Sequence, residues 1–175
     1  MKSLPTSPRI RFREMNEEDH DRIAWVISDA VTMQHYPAPY DEQGVERWIA
    51  WNKGSYAKRG FGLWALERIS DGAFLGDCGI TMQNINGRNV PEIGYHLHCS
   101  FWRQGYGTEA ARACRDWFFA NCPEFDAVYS YMTDDNVGSW SVARNNEMHL
   151  LETYMDENRL MRVYRITREE YLKLK

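Results

Sequence analysis

The chain has 175 residues, of which 43% are hydrophobic and 14% aromatic, and it carries a formal net charge of -4. A chain of this length is expected to form one domain with a core of its own, and its apolar content excludes a disordered protein. The slight acidity argues against nucleic-acid binding and suits a cationic partner.

The polar segment from Met1 to Pro8 has no apolar run of the kind a signal peptide carries, and residues 1–8 are expected as a flexible tail. Residues 9–175 form the single expected domain. Arg9 to Arg13 alternates charged and apolar side chains, the pattern of a strand with one buried face. Asn16 then precedes Glu17, Glu18 and Asp19, an N-cap followed by acids in the first turn. Ile23, Val26, Ile27, Ala30 and Val31 keep helical spacing, and Pro37 and Pro39 close that element. Asp41 can cap a second helix, with Val45, Trp48, Ile49 and Trp51 on its apolar side, running to about Gly60.

From Phe61 the periodicity changes. Phe61–Ile69 and Ala73–Met82 read as strands joined by Ser70-Asp71-Gly72, a hairpin. Asn86-Gly87 marks another turn, and Val90–His98 another strand. A short glycine loop leads into a helix over about Gly107–Asn121, with Ala110, Ala113, Cys114, Trp117 and Phe118 on its inner stripe. Phe125–Met132 is a strand, Asn136 opens a helix to about Asn146, and Met148–Tyr154 and Leu160–Ile166 are closing strands. Glu169–Lys175 can form a last helical turn. The fold class is α+β: a mixed, mostly antiparallel central sheet of about seven strands with helices on both faces.

The cysteines Cys78, Cys99, Cys114 and Cys122 form no Cys-x-x-Cys pair, so neither a disulfide framework nor a zinc knuckle is expected. Free thiols suit a reducing compartment, and no apolar run reaches the roughly 18 residues of a membrane span. A cytoplasmic location is expected. His96 and His98 face one side of a strand, but no carboxylate or third histidine stands at ligand spacing, so no metal is expected.

The stretch that carries chemistry begins at Glu92-Ile93-Gly94-Tyr95-His96-Leu97-His98 and continues through Cys99-Ser100-Phe101-Trp102-Arg103-Gln104-Gly105-Tyr106-Gly107-Thr108-Glu109-Ala110. It is a strand, a loop with two glycines and a helix start. The glycines allow close backbone approach, and the free N–H groups of a helix start attract anions such as a pyrophosphate. An ordinary tight turn with a helix cap fits the same spacing. A P-loop is excluded because no Gly-Lys-Ser/Thr follows, and a dinucleotide fingerprint lacks its third glycine.

These residues resemble the acetyl-CoA-binding motif of the GNAT superfamily of N-acetyltransferases, Gln/Arg-x-x-Gly-x-Gly/Ala. Gly105 and Gly107 match its two small positions. Trp102 replaces the first residue, which is similar to the RimJ/RimL branch of ribosomal-protein N-terminal acetyltransferases. Asn136-Val137-Gly138-Ser139 with Val142-Ala143 and Asn145-Asn146 resembles that family's next helix, although Glu147-Met148 stands where Gly-Phe is usual.

The resemblance implies acetyl-CoA as co-substrate. The backbone of Arg103, Gln104, Gly105, Tyr106, Gly107 and Thr108 would hold its pyrophosphate. The backbone of His96, Leu97 and His98 would meet its pantetheine arm. Asn136 would touch the same arm or simply cap its helix. A side chain larger than Ala at 107 would crowd the phosphate. Glu92 is the expected base, or else a strand ion pair or substrate anchor. The tyrosine that many relatives use as acid is Ala143 here. Ser139 is the expected substitute or a capping hydroxyl, with Tyr106 and Tyr131 behind it. The acceptor would be a protein N-terminal amine, a small amine such as a polyamine, amino sugar or antibiotic, or none at all in a non-catalytic acyl-CoA-binding module. Helices one and two with the Pro37–Tyr40 loop would form its pocket, and exposed aromatic residues would favour a homodimer.

Overall fold

The computed structural model describes residues 3–175. Strand β1 is Ile10–Arg13, followed by a 3₁₀ turn at Glu17–Asp19 and helix α1 at His20–Ile27. The Asn16 side chain accepts from Glu18 N–H, and Asp19 reaches back to Asn16 N–H, a reciprocal cap. The first helix stops ten residues short of Pro37. The Asp29 carboxylate takes the Thr32 N–H at 2.7 Å, which turns the chain out of helix. Val31, which keeps helical spacing, is consequently 54% exposed.

Helix α2 spans Glu42–Arg59, capped by Asp41 at one end and by left-handed Gly60 at the other. Asn52, fully buried, fixes this helix to the sheet. Its carboxamide accepts from Leu63 N–H at 2.8 Å and donates to Trp48 O at 3.0 Å. Strands β2 (Leu63–Arg68), β3 (Phe74–Ile85) and β4 (Arg88–Leu97) make an antiparallel meander. Helix α3 (Tyr106–Asn121), β5 (Ala127–Thr133), α4 (Val137–Asn145), β6 (His149–Asp156), β7 (Arg159–Thr167) and α5 (Arg168–Leu172) complete the chain.

The seven strands lie in the order β1-β2-β3-β4-β5-β7-β6, and β4–β5 is the parallel pair. Alternation along β2 divides the core. Trp64 and Leu66 pack beneath α3 with Ile80, Phe118 and Val128, while Leu63 and Ala65 pack against α1 and α2 with Ile23, Val26, Ile27 and Ile49. Each such fully buried aliphatic side chain contributes about 1.5–3 kcal/mol.

Residues 3–8, expected as a loose tail, lie against α3. Pro5 is buried, Trp117 donates its indole N–H to Ser3 O, and Ser7 donates to Glu109. The expectation for Met1 and Lys2 lies outside the described residues. Glu147, at the position where the family motif has glycine, sits in the left-handed region with φ of 61°, a conformation that costs a non-glycine residue roughly 1–2 kcal/mol.

Candidate active site

Strands β4 and β5 share one register pair, Glu92 with Tyr129. The Ser130 hydroxyl still bonds Ile93 O at 3.2 Å. Beyond that point β5 runs on with β7 and β4 with β3, so the two parallel strands part at their C-terminal ends. Each then feeds a helix start, α3 from β4 and α4 from β5, and both N-termini flank the split.

The loop into α3 is shaped for an anion. Arg103 and Gly105 take left-handed φ values of 60° and 83°. No acceptor among the described residues meets the N–H groups from Arg103 to Thr108, and the helical bonding begins with Glu109 N–H to Gly105 O. Successive unpaired N–H groups at a helix start form a concave cradle for phosphate. Arg9 braces this loop from behind, donating to Gln104 O at 3.1 Å and to Glu109 at 2.6 Å, with its guanidinium 4.4 Å above the Tyr106 ring. That packing, under Arg9 and against Phe101, gives Tyr106 a structural place rather than an acidic one.

Gly107 points elsewhere than expected. A Cβ there would lie 3.2 Å from Val142 and 3.4 Å from Leu97, so the position faces the α3–α4–β4 junction and not the cradle. Gly107→Ala should therefore be tolerated. Gly107→Val should cost about 1–3 kcal/mol of stability by overpacking, read from urea unfolding. A valine variant as stable as the parent would contradict this placement.

The edge of β4 along the split is partly occupied. Leu97 O accepts from the Trp102 indole at 2.7 Å. His98 lies just past the strand, where its N–H donates to Leu75 O and its carbonyl accepts from Phe101 N–H. With both backbone groups engaged, His98 is directed away from the split. Its ring stacks on Trp25 with centroids 3.5 Å apart. Asp29 and Cys99 stand beside it, with ligand atoms within 4.8 Å of one another, a grouping that sequence spacing does not reveal. The His98 Nδ1 lone pair there already accepts from Ser100 N–H at 3.2 Å.

Glu92 and His96 share the face of β4 turned toward α1 and α2. Glu92 is buried and accepts from the Thr81 hydroxyl at 3.0 Å, its other oxygen having no protein donor among the described residues. Burial raises its pKa to about 7, against the opposing pull of the Thr81 hydrogen bond and of His96. His96 Nδ1 meets Asp77 Oδ1 at 2.7 Å, its Nε2 meets the Tyr36 hydroxyl at 2.7 Å, and the Trp48 indole donates to Asp77 Oδ2 at 3.0 Å. The His96 side chain thus belongs to the α1–α2 side.

On the opposite face, Tyr95 donates to Ser139 O at 2.6 Å and accepts from the Ser139 hydroxyl at 3.1 Å. Burial pushes the Tyr95 phenol well above its ordinary pKa. Asn136 accepts from Ser139 N–H at 3.1 Å and so caps α4. Tyr131 on β5 is half-buried, with its phenol also raised by burial. Sequence reasoning missed Tyr95, Tyr36, Asp77 and Thr81. Alternation along the strand signals Tyr95, on the face opposite Glu92. The other three depend on cross-strand register and loop path.

A model of the acetyltransferase (GNAT) domain matches residues 9–149. The chain belongs to the GNAT acetyltransferase family. Among its relatives is the uncharacterized protein YkkB of Bacillus subtilis (strain 168), 34% identical over 164 residues, with 93% of this chain and 95% of that one covered. A GNAT-family acetyltransferase from Bacillus anthracis has the same fold, with a TM-score of 0.81 at 19% identity over 96% of this chain and 100% of that one. RimL, a ribosomal L7/L12 alpha-N-protein acetyltransferase solved with coenzyme A, gives 0.76 at 17% identity, covering 95% and 98%. Among the described residues no helix of this GNAT protein is long and apolar enough to cross a membrane.

Proposed function

We propose that this GNAT protein transfers the acetyl group of acetyl-CoA to a primary amine by direct attack on the thioester. The observation that carries the reading is the split between β4 and β5, which has unpaired N–H groups at the start of α3 and Glu92 on the strand beside it. The N–H groups from Arg103 to Thr108 hold the pyrophosphate, and the edge of β4 near His96 and Leu97 meets the pantetheine arm. Asn136 lies on the same side as that arm while it caps α4.

Glu92 accepts a proton from the incoming ammonium, because a carboxylate with a pKa near 7 is half-ionised at neutral pH. Ser139 is assigned to protonating the leaving thiolate, steadied by Tyr95. Ser139→Ala should then slow the single-turnover rate by roughly 10²–10⁴-fold. If the serine only packs against Tyr95, the variant should instead lose about 1 kcal/mol of stability and keep its rate.

A protein N-terminal amine is the first acceptor to test. A second reading, a small organic amine, is favoured by the partly exposed rings of Tyr36, Tyr40, Trp48 and Trp51 beside Asp77 and Glu92, since aromatic faces and carboxylates together attract a compact cation. The test is thiol release from acetyl-CoA against N-terminal peptides and against polyamines, amino sugars and aminoglycosides. Amine-dependent release supports the proposal and ranks the two acceptors. Tight acetyl-CoA binding without release for any amine would mark a binding module instead.

A further inference from the structure

We propose that Tyr36 is a catalytic residue of the acceptor site, passing the proton of the attacking nitrogen to His96, which Asp77 holds in place. The proposal rests on the amine-acetylation reading above and adds a second proton acceptor beside Glu92.

Three contacts in series define it. Asp77 is fully buried and His96 is 8% exposed, whereas Tyr36, at the outer end, is 41% exposed. The carboxylate oxygen of Asp77 is an acceptor, so its 2.7 Å contact to Nδ1 places the imidazole proton on that nitrogen. Nε2 then carries the lone pair, and Tyr36 O–H donates to it at 2.7 Å. The Trp48 indole saturates the other Asp77 oxygen, and its ring stands edge-on to the imidazole at 5.0 Å. The arrangement is a hydroxyl, an imidazole and a buried carboxylate, the logic of an activated hydroxyl with its base and orienting group.

Register places the relay on the same face of the sheet as Glu92, four residues away along both strands. Asp77 pairs with His96, and Thr81 with Glu92, on the same two strands. The segment bearing Tyr36 is tied down by Tyr36 N–H to Met33 O at 2.9 Å, by Tyr40 N–H to Ile27 O at 2.9 Å, and by Arg159 donating to His35 O. The titratable groups facing Tyr36 and His96 are Asp77 on β3, Glu92 on β4, Tyr40 before α2 and Tyr131 on β5. Burial alone disfavours a charged imidazole, but the charge and hydrogen bond of Asp77 outweigh it, and the His96 pKa lies above its ordinary value. A proton arriving at Nε2 therefore has a stabilised place to rest.

Two protons must leave the nitrogen of an amine that arrives as ammonium. The first goes to Glu92 before attack. After attack the nitrogen is again cationic. Its N–H bond breaks as Tyr36 Oη takes the proton, while the original phenol proton moves to His96 Nε2. The C–S bond breaks, and the thiolate takes a proton from Ser139. Afterwards one of the two protons held on Glu92 and His96 restores Ser139, and the other leaves to solvent, so that amide, free thiol and one proton are the net products.

The test compares the parent protein with Tyr36→Phe and Asp77→Asn, using the best acceptor from the thiol-release panel. Tyr36→Phe keeps the ring and removes the relay oxygen. The expected result is a fall in kcat of about 10²-fold or more, with acceptor KM and acetyl-CoA Kd changed less than about threefold. A shared deficit is also expected: Asp77→Asn in the Tyr36→Phe background should add little, because the groups act as a unit. Removal of the relay should also change the part of the pH–rate profile that remains in a Glu92→Gln background. A loop-pinning role would raise KM and leave that profile alone. Parent-like kcat and profile in Tyr36→Phe would overturn this proposal alone. A parent that binds acetyl-CoA yet acetylates no amine would overturn the amine-acetylation reading as well.

Discussion

Glu92→Gln should lower kcat by roughly 10²–10⁴-fold and leave acetyl-CoA affinity nearly unchanged. The substitution conserves shape, and the Thr81 hydroxyl can still donate to the amide oxygen. What disappears is the capacity to take a proton at a group whose pKa burial raises to about 7. The contribution of Glu92 to the rising limb of the pH–rate profile near neutrality should be lost in the variant, leaving only the part that His96 sets.

The same group leaves a mark on stability. The folded protein retains the Glu92 proton up to about pH 7, whereas the unfolded chain releases it near the ordinary value of 4.5. Between those values the folded state binds more protons, so parent stability falls as pH rises, by on the order of 3 kcal/mol in all. Glu92→Gln should lack that slope and gain on the parent at pH 8. Urea titrations at pH 5 and pH 8 measure the difference. Parallel stability curves with unchanged turnover would return Glu92 to a purely structural role.

Gly76→Ala should be strongly destabilising, at about 3 kcal/mol or more. Its φ of 139° is a conformation that L side chains rarely adopt, and a Cβ built there would lie 1.9 Å from His96 O and 3.0 Å from Leu97 Cα. Both obstacles are backbone, so no side chain can swing aside. The β3–β4 pairing would have to open at the end that presents His96. For a domain of this size a loss of 3 kcal/mol lowers Tm by roughly 6–12 °C, and the acceptor side of the site should suffer with it. A calorimetric Tm within 2 °C of the parent would show that the strands part there at little cost.

The legible parts of the sequence were those set by short range. Asp71-Gly72 and Asn86-Gly87 lie in the turns they announce, Asp41 and Asn136 cap the helices they precede, and Gly105 sits at the positive φ that its place in the loop implies. Alternation places Glu92 and His96 on one face. The less legible parts were set at long range. Nothing local in Val90–His98 says that Asp77 lies opposite His96, nor that β4 parts from β5 after a single register pair. Tyr36 was hidden for another reason. Helical spacing through Val31 suggests a longer helix, and it is the Asp29–Thr32 turn that ends it and carries Tyr36 over the sheet. Gly107 matched the family pattern, but a sequence pattern cannot show which way an absent side chain would point.

The contacts of residues 3–9 also bear on how the protein can be handled. Ser3, Ser7 and Arg9 are tied to Trp117, Glu109 and Gln104, and the last two of these flank the start of α3. Trimming the chain to begin at Arg9, as a minimal-domain design based on the alternating strand pattern would do, removes two of these ties and leaves the third on a newly charged terminus. Purification handles therefore belong at the Lys175 end, beyond the short α5, where the final residues are exposed and lie far along the chain from the anion cradle.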